Sequence, residues 1–182
     1  MAGQDITSRF NEIYDSTNKE VLSYVTAKCG HTADIRDIVQ DTYMELYQLL
    51  SKRGVDYIKN SKAIILRIAK QQLSRFYART GKLRLVSMTA QNGEGDEIQL
   101  SDLEADSFLT EDFVVDQAML EETRAFIKQK PEDVKKIFYL FYDVGQSIPK
   151  IAQALSIKES NVKNKLYRTL KELRALLQEK GC

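Results

Sequence analysis

The chain has 182 residues, 43% hydrophobic and 29% charged, with a formal net charge of +1, the composition of a globular protein with one ordinary domain or two small ones. Two cysteines, an N-terminus without an apolar signal core and no apolar run near ~18 residues exclude a secreted disulfide scaffold and a helical membrane protein, and point to a reducing, cytoplasmic compartment. Eight glycines and two prolines are few for strands and tight turns, so the composition leans all-α.

From Ile6, apolar side chains recur at Phe10, Ile13, Tyr14, Val21, Leu22 and Val25, the three-and-four spacing of an amphipathic helix. Cys29-Gly30-His31 interrupts it. Asp34 stands where an N-cap belongs, and Ile35, Ile38, Val39, Thr42, Tyr43, Leu46, Leu49 and Leu50 then share one helical face. After Gly54, residues 61–79 form a third helix. It is apolar over most of its circumference, which predicts burial on several sides at the centre of a small bundle.

Charge is strongly segregated along this order. Residues 57–86 hold Lys59, Lys62, Arg67, Lys70, Arg75, Arg79, Lys82 and Arg84 and no acid; residues 87–123 hold eleven acids and no Lys or Arg. A basic surface of this kind is an electrostatic footprint for polyanions. Residues 87–112 lose periodicity and gain Gly, Ser, Asp and Glu, which reads as an acidic flexible linker extended by its own repulsion. In the free chain, electrostatics would fold the basic faces against that strap. Helical periodicity returns from Phe113 through Ile127 and again at Val134, Ile137, Phe138 and Phe141. The expected architecture is all-α, two small helical domains at 1–86 and 113–182 joined by the linker 87–112.

The last fifty residues carry the sharpest pattern. Ile148, Ile151, Ala152 and Leu155 mark a short helix, with Ser147 before it and Pro149 in its first turn. A turn at Ser156-Ile157-Lys158 leads into a long helix from about Glu159 to Gln178, with Val162, Leu166, Leu170, Leu173 and Leu177 on its core face. Opposite them lie Ser160, Asn161, Asn164, Arg168 and Lys171, flanked by Lys163, Lys165 and Tyr167. That is a helix-turn-helix whose second helix offers major-groove chemistry: amides suit adenine, and Arg and Lys suit guanine or phosphate.

The stretch Lys130 to Leu177, with Pro131, Phe141-Tyr142, Gly145, Lys150-Ile151-Ala152, Leu155, Asn161-Val162-Lys163, Leu166, Arg168-Thr169 and Leu173-Arg174, resembles the −35-binding domain of bacterial extracytoplasmic-function sigma factors. The segment Asp37-Ile38-Val39-Gln40-Asp41-Thr42-Tyr43 resembles that family's Asp-Leu-Val-Gln-Glu-Thr-Phe, and Leu66-Arg67-Ile68-Ala69-Lys70 its Leu-Tyr-Arg-Ile-Ala-Arg. The resemblance covers nearly the whole chain.

It implies three faces. Asp37, Gln40, Asp41, Met44 and Glu45, with Gln48, would dock on the clamp helices of core RNA polymerase. Lys70, Gln71, Arg75, Phe76, Tyr77 and Arg79 would bind the −10 element, with cations along the phosphates and aromatic or amide groups for a flipped base. Phe76 and Tyr77 equally suit the core. Ser160, Asn161, Lys163, Asn164, Lys165, Arg168 and Lys171 would bind −35 promoter DNA. The chain departs from the family with Gln71 for Asn, Arg75 for Asp, Ala78 for Arg, Ser156 for the turn glycine and Asn161 for Thr, so the identity of the −10 base does not carry over. The acidic linker would run near the RNA path of the polymerase. An anti-sigma factor, often membrane-bound and released by an envelope stress signal, is the further partner implied.

Enzyme chemistry finds little footing. Cys29 and His31 are two possible ligands where a zinc site needs about four. One histidine, no Gly-x-Ser-x-Gly elbow and no Gly-rich phosphate loop leave nucleophilic and nucleotide chemistry without a motif. The reading is a non-enzyme without cofactor, metal or small-molecule substrate. The other reading is a freestanding helix-turn-helix regulator that binds palindromic half-sites without polymerase.

Overall fold

The computed structural model describes the backbone of residues 2–80 and 117–179, and the side chains of 5–80 and 119–178. The linker expected at 87–112 lies outside the described residues. Seven α-helices are seen among those described: α1 (Ala2–Lys28), α2 (Ile35–Arg53), α3 (Ser61–Thr80), α4 (Gln117–Lys128), α5 (Glu132–Phe138), α6 (Ile148–Leu155) and α7 (Glu159–Glu179). None of the described helices is long and apolar enough to cross a membrane.

Helices α1, α2 and α3 pack against one another around a core of Ile13, Val21, Val25, Ile35, Ile38, Leu46, Leu50, Ile65 and Ile68. Among the buried polar groups here, Thr17 donates to the Ile13 carbonyl at 2.6 Å and meets the Tyr43 hydroxyl at 3.1 Å. Burial pushes the Tyr43 phenol up to about 12.

Two local expectations are corrected. Helix α3 is not buried all round; it buries Ile65, Ile68, Ala69, Gln72 and Leu73 while Arg67, Lys70, Gln71 and Arg75 face solvent. In a three-helix bundle each helix gives one stripe to the shared core, and no helix is central. Asp34 stands at the cap position of α2, but its φ of −86° and ψ of −12° are helical and it makes no side-chain cap bond. A capping side chain reaches the free amides from an extended backbone, which the short 3₁₀ turn Thr32–Asp34 denies it. The other end of α2 closes on Gly54, at φ 83°, whose N–H reaches the Leu50 carbonyl at 2.9 Å.

The second core joins Val134, Ile137, Phe138, Leu140, Ile151, Leu155, Val162 and Leu166. Helix α5 runs on into a π turn, Tyr139–Asp143, closed by the Val144 N–H on the Tyr139 carbonyl at 3.1 Å. The turn between α6 and α7 is a Schellman motif: Ile157 N–H bonds Ala152 O at 3.0 Å and Ser156 N–H bonds Gln153 O at 3.3 Å. Ser156 therefore sits left-handed at φ 56°, ψ 42°, a conformation that costs a residue with a Cβ about 1–2 kcal/mol. Leu22 and Ala27 of α1 pack on the second core, and Tyr139 packs on both.

Candidate nucleic-acid interface

Helix α7 rises from the α6–α7 turn with Val162, Leu166, Leu173 and Leu177 inward, so its opposite face is fixed by helical geometry. Ser160, Asn161, Arg168 and Lys171 are exposed there, and Lys163, Asn164 and Lys165 are half-buried along its flank. All seven residues expected to read DNA thus lie on this helix. Sequence reasoning did not find their partners. The Lys165 ammonium pairs with Asp133 of α5 at 2.6 Å. Glu172 accepts from Arg168 at 3.3 Å and from Lys130 at 2.5 Å, and Lys130 also lies 4.1 Å over the Phe126 ring.

Those pairs set the local electrostatics. Burial alone would raise the Asp133 carboxyl, but the Lys165 hydrogen bond and charge more than offset it and hold it below its ordinary value. The Glu172 carboxyl is also lowered, first by the Lys130 hydrogen bond. Two carboxylates therefore stay ionised beside the basic face and hold two of its cations in place before any ligand arrives.

In the first lobe, part of the set expected on the polymerase face and part of the set expected on the −10 face share one groove. Asp41, Met44, Glu45 and Gln48 of α2 and Arg67, Gln71, Arg75 and Arg79 of α3 line an open groove of about 790 Å³. Arg75 reaches Glu45 at 2.7 Å, Arg79 reaches Asp41 at 3.4 Å, and the Gln72 amide donates to Glu45 at 2.6 Å. Lys70 is exposed on the same helix, and Asp37 and Gln40 are on the outer side of α2, both exposed. On the other side of Met44, a shallower groove of about 510 Å³ runs along Phe10, Tyr14, Val39, Tyr43 and Tyr47; its rings meet at 4.7–6.2 Å.

Phe76 and Tyr77 are both half-buried and packed on the first core, edge to face with each other at 5.7 Å. The Tyr77 hydroxyl accepts the Gly30 N–H at 2.6 Å. Burial first, then the Cys29 thiol, pushes this phenol up to about 12. Tyr77 thus holds the turn after α1, and Cys29 serves the same turn, donating from its buried thiol to the His31 carbonyl at 3.2 Å.

Residues 121–173 match the family sigma-70, region 4. Among solved structures, one described as CnrH in complex with the cytosolic domain of CnrY matches at 20% identity, covering 98% of this chain and 95% of that chain, with a TM-score of 0.40. No curated protein matches.

Proposed function

We propose that this chain, whose residues 121–173 match sigma-70 region 4, is an extracytoplasmic-function sigma factor that binds core RNA polymerase and directs it to promoters with paired −10 and −35 elements. The observation that carries this is the α7 face: amides, a hydroxyl and cations along the second helix of a helix-turn-helix, within the matched segment. Such a face can place Asn161 and Asn164 on adenine edges and Arg168 on a guanine, with Lys163, Lys165 and Lys171 along phosphates.

Residues 1–86 serve as the polymerase- and −10-binding unit in this reading, 87–112 as the linker and 113–182 as the −35-binding unit. Asp37, Gln40 and Met44 offer an acid, an amide and an exposed thioether to a cationic partner with apolar spots. Lys70, Gln71, Arg75 and Arg79 follow the backbone of the −10 strand. An anti-sigma factor holds the protein inactive in the cytoplasm until a signal releases it. The chain itself catalyses nothing; the chemistry belongs to the polymerase.

The test is promoter selection. Purified protein and core polymerase, given a library of random duplexes, should enrich an asymmetric pair of elements at fixed spacing. Enrichment of a palindrome by the protein alone would give the function to a freestanding regulator instead.

A further inference from the structure

Lys165 and Arg168 leave the same helix and each meets a carboxylate, yet the two pairs differ in what they leave free. Asp133 takes the one charged nitrogen of Lys165, at 2.6 Å. Glu172 takes Arg168 by its inner nitrogen, with Nε donating to Oε1 at 3.3 Å. The two terminal nitrogens of that guanidinium make no hydrogen bond among the described residues, and the side chain is 77% exposed. A guanidinium carries its donors in one rigid plane. A carboxylate on Nε therefore fixes the plane and leaves the outer edge, with one N–H from each terminal nitrogen, facing out. Two parallel donors of that kind match N7 and O6 of a guanine.

Glu172 is itself held from behind. Its other oxygen, Oε2, accepts from the Lys130 ammonium at 2.5 Å. Lys130 lies in the short turn between α4 and α5, where its N–H bonds the Ile127 carbonyl at 3.0 Å and Pro131 follows. Its ammonium stands 4.1 Å over the Phe126 ring, and its side chain is only 22% exposed. Ile127 packs on the second core, so the turn is anchored to the body of the lobe. Phe126, Lys130, Glu172 and Arg168 thus form a chain from α4 to the tip of a base-reading side chain.

Neither helix stability nor DNA affinity accounts for a glutamate here. The favoured order at i,i+4 on a helix puts the acid before the base; Arg168 before Glu172 is the weaker order, and so exposed a pair contributes little to stability. Beside phosphates a carboxylate opposes binding, and the Lys130 hydrogen bond keeps this one ionised. What the carboxylate supplies is aim. A long, unrestrained arginine reaches a phosphate as readily as a base edge, and phosphate contacts carry no sequence information.

We propose that Glu172 and Lys130 are positioning residues for base readout, which hold the outer edge of Arg168 forward so that it reads a guanine and not a neighbouring phosphate. This role rests on the promoter-recognition reading above and deepens it. Lys130 and Phe126 lie outside α6 and α7, so part of the sequence preference is set from outside the helix-turn-helix.

The test repeats the selection from random duplexes with core polymerase and full-chain variants of wild-type helical circular dichroism. It reads base preference column by column, with binding to one random-sequence duplex measured beside it. Arg168→Ala identifies its own column by flattening it. Glu172→Ala should lower the preference in that column about ten-fold and bind the random duplex a few-fold more tightly, because an acid near phosphate is gone. Glu172→Gln, which keeps an acceptor for Nε, should fall between Ala and wild type. Lys130→Met keeps the chain over Phe126 and removes the ammonium; it should lower the same column by less, with no gain on the random duplex. With Arg168→Ala already present, Glu172→Ala should change that column no further. A column left intact by Glu172→Ala, a loss spread over every column, or a loss undiminished without Arg168 would overturn the proposal, as would an Arg168→Ala that flattens no column. A palindrome enriched by the protein alone would overturn the sigma-factor reading instead, and the same column comparison on that palindrome would still judge the roles of Glu172 and Lys130.

Discussion

Asp133 holds Lys165 at 2.6 Å, with both side chains 39% exposed. The pair sits where α5 meets the flank of the recognition helix, so a cation expected on phosphate already has a carboxylate partner. Half-exposed pairs contribute little to stability, and the pair's influence therefore falls on binding. Asp133→Asn frees the ammonium: the variant should bind any duplex a few-fold more tightly, with the log–log salt slope steeper by up to about 0.9. Lys165→Ala should do the reverse, weakening all sequences alike. Titrations at several salt concentrations check both.

Arg168 is 77% exposed and is steadied by Glu172 one turn along α7. Arg168→Ala should cost about 1–3 kcal/mol on a promoter and relax preference at one base pair. An equal loss on every sequence would assign it to phosphate.

Ser156 occupies a left-handed position that the Schellman turn imposes. Glycine adopts that conformation freely. Ser156→Gly should raise the stability of the second lobe by about 1 kcal/mol, which for a lobe of this size is a rise of several degrees in Tm. Promoter binding should be unchanged, since the turn's hydrogen bonds are backbone bonds. Thermal melting reads the first and a gel shift the second.

Tyr77→Phe keeps the ring and removes the acceptor for the Gly30 N–H. The half-buried amide then loses its partner, at a cost of about 1–2 kcal/mol to the first lobe. A ring that only packs predicts lower Tm with normal promoter opening by the folded fraction. A ring that stacks on a base predicts the same for Phe but loss of opening for Leu, so the pair of variants separates the two roles.

Glu132 carries a pH dependence with a definite sign. Burial would raise its carboxyl, but the Lys135 and Thr32 hydrogen bonds outweigh it and hold the group below its ordinary 4.5. A depressed folded value means stabilisation that is fully present above 4.5 and is lost as the pH falls through the folded value. At pH 7 the wild type should therefore melt above Glu132→Gln, and the difference should vanish once the pH drops below that folded value. A difference independent of pH would mean that the charge on Glu132 is irrelevant.

Much of this was legible in the sequence because it follows from periodicity. The stripe Ile35, Ile38, Tyr43, Leu46 and Leu50 places the α2 face by spacing alone, and Val162, Leu166 and Leu173 place the α7 face in the same way. The breaks at Gly30 and Gly54 are equally local. Three things were not legible. The single-sided burial of α3 depends on how three helices divide one core. The pairing of Lys165 with Asp133, and of Arg75 with Glu45, depends on which helices become neighbours. The hydrogen bonds between Glu132 and Thr32 and between Gln146 and Ser23 join residues about a hundred positions apart in the chain, where no pattern of spacing reaches. Ser156 lies between these cases: its place in a tight turn was readable, and its standing where the resembled family has glycine left open whether the turn avoids positive φ or bears slight strain.

The most direct test of the central claim is gel filtration of the protein with bacterial core RNA polymerase at physiological salt, beside Asp37→Ala with Gln40→Ala. The account predicts co-elution of the wild type and clear loss of co-elution for the variant, whose two changed side chains lie on the outer side of α2 and outside the core. A folded wild type that elutes apart from the polymerase would contradict it.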